Sequence, residues 1–392
     1  MNPIDPENPV TEGKPRGLHV ISKMDTVILS WQAYSNKNLE QFDIYRSTST
    51  DNSLNKIGST SPTHTIFYDN NVYYEIAYTY QVRAVTPSFE SRLSDPITIT
   101  PGPTYLWVVD SSTGDLVKLT HDAQHQIFRC SFSGYADNLV VNPRDHTAWF
   151  LDIYSERIYG ISGEGALSHR INNEGEVLDF QVFWSDSALW VSVTTNTGCE
   201  LMKLTYGADV LSKITRFRKV IDLSIDQTTK CCWLIDEGMQ NIYKIDPEGN
   251  LLLSAELNHT PLYVAAFSGD GSCWTTDSSR VFFINSNRRF AIEEAEGNYD
   301  GIEGIDIDQN SGACWVLTHR SVSKIDSSGK LLFTIDGFKY PQSISANAFD
   351  GSCVVADPYQ DRAVIISADG AQVESIPNIQ SPWLVCVEYA IQ

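Results

Sequence analysis

The tryptophans of this chain recur at a nearly constant spacing. Six of the nine occupy the second position of a short apolar phrase, and a seventh copy has valine there. Between these second positions, the steps are 42, 41, 43, 41, 41 and 39 residues. A fixed period near forty residues is typical of an architecture built from repeated units. The seven copies span residues 106–110, 148–152, 189–193, 232–236, 273–277, 314–318 and 353–357.

One repeat is enough to predict the local structure. In the sixth repeat, the apolar stretch 314–317 is followed by three further apolar or alternating stretches, at residues 321–326, 330–335 and 343–348. Short turn sequences with glycine or aspartate separate them. Alternation of this kind predicts β-strands, and no stretch has the period of a helix. Each unit of about forty residues therefore holds four strands, which is the content of one propeller blade.

The two ends of the array predict how the units are joined. The array opens on a tryptophan phrase, by convention the second strand of a blade, and it ends on residues 383–388, which resemble a first strand. A ring must bury both open edges, so we expect residues 383–388 to complete the blade that begins at Tyr105. The pattern resembles the NHL and YncE-like propellers over residues 102–392. The resemblance implies an all-β fold with a seven-bladed β-propeller closed by the C-terminal strand, and structural roles for the tryptophan and aspartate of the phrase.

Residues 16–101 have a different pattern. Short alternating stretches at residues 27–31, 42–46 and 78–85 are separated by polar turns, which predicts an antiparallel β-sandwich. The segment resembles a fibronectin type III domain. The resemblance implies a spacer or adhesion module and makes the segment a candidate for self-assembly, although it contains no Arg-Gly-Asp sequence. The motifs that carry the resemblance are Leu29-Ser30-Trp31, Asp43-Ile44-Tyr45-Arg46, Tyr68-Asp69, Tyr80-Gln81-Val82-Arg83-Ala84-Val85 and Ser94-Asp95-Pro96.

The first residues bear on location. Residues 1–15 are polar and proline-rich, and we interpret them as a flexible tail left after a signal or lipid anchor was removed. The expected location is extracellular or at the cell surface, with a lipid-anchored precursor as one form. The alternative is a cytosolic protein with a flexible start. No apolar run approaches the ~20 residues of a membrane helix, so no transmembrane segment is expected.

The charge restricts the choice of partner. The formal net charge is −21. A surface of this sign repels nucleic acid and anionic lipid. We therefore expect a protein or glycan ligand and no nucleic acid.

The positions of the cysteines predict free thiols and no disulfides among the repeats. Four of the eight, Cys232, Cys273, Cys314 and Cys353, occupy the same position in successive repeats. Equivalent positions in neighbouring blades lie too far apart for the ~5.5 Å Cα separation of a disulfide. We expect these four side chains to be buried and unpaired.

Candidate catalytic chemistry is sparse. His121 and His125 are four residues apart, but they lie between strands, and we expect no metal site there. Asp306 and Asp308 loosely resemble a calcium loop without its bidentate glutamate, which favours a strand end running into a turn. We expect no cofactor. The sequence favours a binding protein over an enzyme and leaves open a lyase or hydrolase with its site at the propeller axis, or a structural surface component.

A binding face follows from strand direction. Strands of a blade alternate in direction, so the turns after second strands and the loops after fourth strands open on one face. These connections carry arginines and aromatic residues, including Tyr135, which are typical of recognition surfaces. We expect a ligand of anionic or mixed character at that mouth. The predicted ligand-binding residues are Arg216, Phe217, Arg218, His319, Arg320, Phe338, Tyr340 and Trp383.

Overall fold

The computed structural model describes most of the chain. The described residues are 7–8, 13–34, 38–132, 135–172, 175–256, 259–285, 292–371 and 373–389. Most of the predicted tail, residues 1–15, lies outside them. The chain divides into two compact units, Met1–Tyr105 with Lys118–Ile127 and Leu106–Val117 with Phe128–Gln392. The domain limits 16–101 and 102–392 stay predictions.

The N-terminal strands form a two-sheet sandwich. One sheet has the order β1-β2-β5 and the other has the order β4-β3-β6-β7. Alternate residues of both sheets, such as Leu29, Ile44 and Val82, are buried in one shared core. The strands are β1 (His19–Lys23), β2 (Thr26–Ser30), β3 (Gln41–Thr48), β4 (Asn55–Thr60), β5 (Ile66–Asp69), β6 (Tyr78–Val85) and β7 (Ile97–Ile99).

A buried carboxylate joins the two sheets of the sandwich. Asp69 of β5 accepts hydrogen bonds from the Arg46 guanidinium at 2.6 Å and from the Tyr80 hydroxyl at 2.8 Å. Burial, followed by the nearby Asp69 carboxylate, raises the pKa of Tyr80. The phenol therefore stays protonated and donates to Asp69.

The remaining strands form a β-propeller of seven four-stranded antiparallel sheets, counted over the described residues. Sheet 1 has the order β10-β9-β8-β35, and sheets 2 to 7 each use four consecutive strands. Within each sheet, strands are numbered first to fourth, and the first strand of sheet 1 is β35. The bounds are β8 (Thr104–Asp110), β9 (Asp115–Leu119), β10 (Gln126–Ser131), β11 (Ala136–Asn142), β12 (Thr147–Asp152), β13 (Arg157–Ile161), β14 (Leu167–Asn172), β15 (Val177–Phe183), β16 (Ala188–Thr195), β17 (Gly198–Thr205), β18 (Val210–Ile214), β19 (Val220–Ile225), β20 (Cys232–Asp236), β21 (Asn241–Ile245), β22 (Leu251–Glu256), β23 (Tyr263–Ala266), β24 (Cys273–Thr276), β25 (Val281–Ile284), β26 (Ile292–Glu294), β27 (Ile302–Ile307), β28 (Cys314–Thr318), β29 (Ser321–Ile325), β30 (Leu331–Asp336), β31 (Ser343–Ala346), β32 (Cys353–Asp357), β33 (Arg362–Ile366), β34 (Val373–Ser375) and β35 (Pro382–Tyr389).

The C-terminal strand is placed as predicted. β35 pairs with β8 as the innermost strand of sheet 1, which confirms the pairing expected for residues 383–388. The first strands of neighbouring sheets contact one another in the order β11, β15, β19, β23, β27, β31 and β35, and β35 also contacts β11. In the described chain, two short 3₁₀ turns, Glu237–Met239 and Pro358–Gln360, interrupt this all-strand pattern, and no helix is long and apolar enough to cross a membrane.

The repeated phrase has the structural role predicted for it. The six tryptophans have no exposed surface. The Trp233 and Trp274 indoles donate to the carbonyls of Gly271 and Gly312 in the next sheet, at 3.3 and 3.1 Å. On the third strand, Lys244 places its ammonium 5.1 Å from the centre of the Trp233 ring, which is a cation–π contact. Each tryptophan side chain is therefore buried against its own sheet, and the indoles of Trp233 and Trp274 also bond to the following sheet.

The phrase aspartates organise turns. The Asp236 carboxylate accepts the backbone N–H groups of Arg218 and Lys219, both at 2.9 Å. The Asp277 carboxylate accepts those of Ser279 and Arg280, at 2.8 and 2.7 Å. These bonds satisfy backbone N–H groups that have no partner in the strand pairing.

The cysteine prediction is confirmed. Cys232, Cys273, Cys314 and Cys353 have no exposed surface and no disulfide partner. All eight cysteines fall within the described residues, and all are free. Burial raises the pKa of each of these four thiols well above its ordinary value. They therefore behave as small apolar core groups.

Candidate functional site

All eight predicted site residues belong to one side of the propeller sheets. Antiparallel order places the turns between second and third strands on the same side as the loops that lead from a fourth strand to the next first strand. We call this side the loop face. Residues 216–218 join β18 to β19, residues 319–320 join β28 to β29, and residues 338 and 340 join β30 to β31. Trp383 lies at the start of β35 on the same side.

The eight side chains differ in exposure. Arg216, Arg218, Arg320 and Tyr340 are exposed, and His319 and Trp383 are half-buried. Phe217 and Phe338 are only 3% and 6% exposed, which corrects their assignment as ligand contacts. The Phe217 ring packs 5.1 Å from Tyr243, and the Phe338 ring lies under the guanidinium of Arg362. Phe217 packs in the core that sheets 3 and 4 share, and Phe338 packs in the core that sheets 6 and 7 share.

The basic segment 216–219 is largely engaged in structure. The Arg216 guanidinium donates to the carbonyl of Gly249 at 2.6 Å. The Lys219 ammonium pairs with Glu237 at 2.6 Å. These bonds tie the loop between β18 and β19 to sheet 4, and the charge of Lys219 is paired with that of Glu237.

Six aromatic side chains form an arc on the loop face of sheets 6, 7, 1 and 2. Ring centroids are 5.0 Å apart for His319 and Tyr340, and 6.2 Å for Tyr340 and Tyr359. On the other side of the arc they are 5.4 Å apart for Trp383 and Tyr135, and 6.2 Å for Tyr135 and Tyr154. We call these six residues the aromatic arc: His319, Tyr340, Tyr359, Trp383, Tyr135 and Tyr154.

The two halves of the arc are close to each other. The pKa of Tyr135 is raised by burial, and then by the neighbouring Tyr154, Tyr359 and Asp137. Tyr135 thus lies near side chains of sheets 2 and 7. Because Tyr154 is 79%, Tyr359 58% and Tyr340 49% exposed, large parts of their rings are free to contact a ligand.

Tyr154 and Tyr359 were not predicted as site residues. A signal for both was present in the sequence, because each follows the aspartate of the repeated phrase by two positions, in Asp152-Ile153-Tyr154 and Asp357-Pro358-Tyr359. That position lies in the turn after the second strand, which strand alternation assigns to the loop face.

The first strands of the sheets enclose a central cavity of about 420 Å³. The ionisable side chains of its described lining are all acidic. Five carboxylates line it, whereas no lysine, arginine or histidine does so in the described part of the chain. These carboxylates disfavour an anionic group inside the cavity, and the prediction of an anionic or mixed ligand at the mouth stays a prediction. The five are Asp137, Asp222, Glu303, Asp306 and Glu388.

Aspartates of the first strands bond to the next sheet. Asp179 accepts the backbone N–H of Leu223 at 2.7 Å, and Asp222 accepts that of Val264 at 2.5 Å. Asp306 likewise accepts the backbone N–H of Ala346 at 2.8 Å. Each of these three junctions between neighbouring sheets therefore has one carboxylate that accepts from the next first strand. A first strand has an open edge towards the cavity, so its N–H groups need such acceptors.

Burial changes the protonation of these aspartates. Burial is the largest cause that raises the pKa of Asp222 to about 7 and that of Asp306 to about 6. The pKa of Asp179 is raised well above its ordinary value by burial and then by Asp222. Asp179 and Asp222 therefore hold a proton at pH values where an exposed aspartate is ionised.

Two other carboxylates lie at the loop-face end of the cavity. Asp137 is exposed and lies at the start of β11, and Glu303 is half-buried at the start of β27. Glu303 pairs with the imidazole of His319 at 2.6 Å, which connects the cavity lining to the aromatic arc. Glu388, in contrast, is buried between the Trp107 indole and His146 at the junction of sheets 1 and 2.

The histidine pair has structural partners within the first unit. His121 bonds to Glu75 at 2.7 Å and to Thr104, and His125 bonds to the carbonyl of Thr98 at 2.6 Å. Among the described residues, no three His, Cys, Asp or Glu side chains are grouped so that they could hold a metal ion. Asp308 accepts from Asn310 and Ser311 in a turn, as its sequence context indicated.

Comparison with known proteins bears on the fold. No family model and no curated protein matches the chain. A functionally unknown protein from Desulfotomaculum acetoxidans is similar with a TM-score of 0.61 and 10% identity, over 73% of this chain and 99% of that chain. For AztD from Citrobacter koseri, the TM-score is 0.56 and the identity 10%, over 72% and 97% of the two chains. A catalytically inactive virginiamycin B lyase from Staphylococcus aureus with quinupristin has a TM-score of 0.51 and 14% identity, over 70% and 89%. These similarities support the β-propeller and leave the function open, since one of these proteins is an enzyme.

Proposed function

We propose that this chain is a cell-surface or extracytoplasmic binding protein whose aromatic arc recognises a glycan. The observation that carries the proposal is the set of half-exposed rings arranged across four adjacent sheets. Aromatic faces offer apolar area to the C–H face of a sugar ring. Because each ring is held by a short connection between packed strands, the surface is rigid before a ligand arrives.

Polar groups beside the arc suit the hydroxyls of a sugar. Asp137, Glu303, Gln342 and Ser343 lie at the edge of the cavity on the loop face or close to it. They offer acceptors and donors next to the rings. A glycan that lies across the arc could therefore combine stacking with hydrogen bonds.

The sandwich supports the proposed location. Its strand order, β1-β2-β5 and β4-β3-β6-β7, supports the proposal that the sandwich is of the fibronectin type III kind. On this proposal the sandwich is a spacer or a self-assembly module, the propeller is of the NHL or YncE-like type, and the protein is held at the cell surface. A metal-dependent enzyme of this fold would need a convergent set of His, Asp and Glu at the axis, and the described cavity lining has carboxylates and no histidine. An enzyme without a metal stays an alternative.

Substitution of the exposed tyrosines tests the proposal. A glycan array identifies a bound glycan, and calorimetry measures its affinity for Tyr340→Ala and Tyr154→Ala. We expect each change to cost about 1–3 kcal/mol of binding, because each removes a stacking face. Tyr68→Ala is the matched control, since Tyr68 is 58% exposed on the sandwich, outside the arc. An unchanged affinity in both arc variants, or an equal loss in the control, would show that the arc is not the site. Binding of a protein and of no glycan would favour the protein alternative.

A further inference from the structure

We infer that the cavity beneath the aromatic arc receives a positively charged group, so that the ligand is a glycan bearing free amines. This inference rests on the proposed glycan function and adds the class of glycan. It is carried by the cavity, by the sign of the charges that line it and by the rings at its loop-face end.

The field inside the cavity favours cations. A cleft lined by charges of one sign, with walls of low dielectric, concentrates counter-ions of the opposite sign. Here five carboxylates and no basic side chain line the wall in the described chain, although burial raises the pKa of Asp222 and Asp306, so these two carry less negative charge at mildly acidic pH. An anionic sugar such as a uronic acid would enter against this field, whereas an ammonium group would be attracted.

Geometry separates the carboxylates that could contact a ligand from those already engaged. Asp222 and Asp306 accept backbone N–H groups of the next sheet, and Glu388 is buried against Trp107. Asp137 and Glu303 lie at the loop-face end and retain exposed surface, and Glu303 also pairs with His319 of the aromatic arc at 2.6 Å. An ammonium group that enters from the arc therefore meets Asp137 and Glu303 first.

The rings beside these carboxylates reinforce the same preference. Tyr263 lines the cavity, and its pKa is raised to about 12 by burial and then by Glu303, which places Glu303 near its ring. Trp383 and Tyr135 stand at the adjacent end of sheets 1 and 2. Faces of tyrosine and tryptophan attract ammonium groups, by about 0.5–2 kcal/mol. A carboxylate next to an aromatic face recognises an ammonium group attached to a sugar ring.

Matched chito-oligosaccharides test the inference. The probes are a tetramer of β-1,4-linked glucosamine and its fully N-acetylated counterpart, measured by calorimetry at a mildly acidic pH where the amine is protonated. We expect the amine form to bind at least about tenfold more tightly at low salt, with the difference shrinking at high salt because screening weakens the attraction. Asp137→Asn combined with Glu303→Gln should reduce the affinity for the amine form to that of the acetylated form.

A charge-matched variant separates local contacts from net charge. Asp209→Asn combined with Glu374→Gln removes two exposed carboxylates elsewhere on the propeller and should keep the preference for the amine form. Equal binding of the two tetramers would overturn the inference and leave the glycan function standing. Loss of the preference in the charge-matched variant would also overturn it. Binding of neither tetramer, together with a blank glycan array, would overturn the inference and the proposed function.

Discussion

Deletion of β35, by ending the chain at Ser381, is expected to abolish cooperative unfolding of the propeller. β35 is the innermost strand of sheet 1, and it contacts the first strands of sheets 2 and 7. Its loss leaves β8 as an open edge. We infer that β35 closes the ring of sheets, so that the cooperative unfolding of the whole propeller depends on this strand.

The deletion removes buried apolar side chains of β35 and the hydrogen bonds that this strand makes with its neighbours. Leu384 and Val385 are buried, and each contributes about 1.5–3 kcal/mol of hydrophobic stabilisation. The hydroxyls of Ser343 and Ser345 lose the N–H groups of Val385 and Val387, and the Trp107 indole loses Glu388. Together these losses are comparable with the about 5–15 kcal/mol that stabilises a typical domain.

Near-UV circular dichroism during heating measures the effect. The full chain should show a cooperative transition, and the shortened chain should show a broad change or aggregate. A peptide of residues 382–389 added to the shortened chain should restore the transition, and a scrambled peptide should not. A shortened chain that unfolds as cooperatively as the full chain, within a few degrees, would mean that β35 does not close the ring.

Asp222→Asn is expected to stabilise the protein at pH 8 and to change its stability little at pH 4. Burial raises the pKa of Asp222 from 3.8 to about 7. The folded state therefore binds a proton that the unfolded state releases, and stability is lost as pH rises between these values. Because Asp222 is half-buried at the cavity wall, this loss is at most on the order of 4 kcal/mol. Asparagine is uncharged and keeps one acceptor for the N–H of Val264; the N–H of Leu223, 3.1 Å from the other oxygen, keeps its hydrogen bond to Asp179 at 2.7 Å.

Urea unfolding at the two pH values measures the change, and Asp186→Asn is the control of opposite sign. A hydrogen bond from Lys230, 2.7 Å away, is the largest cause that lowers the pKa of Asp186 to about 2. Asp186 thus contributes stability above pH 3.8 that is lost as pH falls towards 2. Its replacement should destabilise the protein at neutral pH. If Asp222→Asn destabilises the protein equally at pH 4 and pH 8, the buried carboxyl is not the cause of the pH dependence.

The fold was predictable because its signals are local and repeated. The tryptophan phrase, its turn aspartates and the aligned cysteines recur about every forty residues, so seven weak patterns reinforce one another. The pairing of β35 followed from the position of each end within the repeat. The same reasoning assigned the loop face, because strand direction alternates whatever the side chains are.

The site was predictable only in part, since it depends on contacts between repeats. Phe217 and Phe338 have the sequence context of exposed loop aromatics, yet each packs in the core between two neighbouring sheets. The cavity carboxylates were missed because a residue such as Asp222 acquires its role from Val264, which lies 42 positions away in the next sheet. Tyr154 and Tyr359 become a site only where sheets 7, 1 and 2 meet.

Hydrogen–deuterium exchange with the glycan found on the array tests most directly whether the loop face binds ligand. Protection is expected only in short peptides at the loop face that carry the aromatic arc, around Tyr135, Tyr154, His319, Tyr340, Tyr359 and Trp383. The turns after the first strands, at residues 143–146, 184–187 and 227–230, lie on the opposite side and should be unaffected. Protection confined to those opposite turns, with none in the arc, would contradict the account.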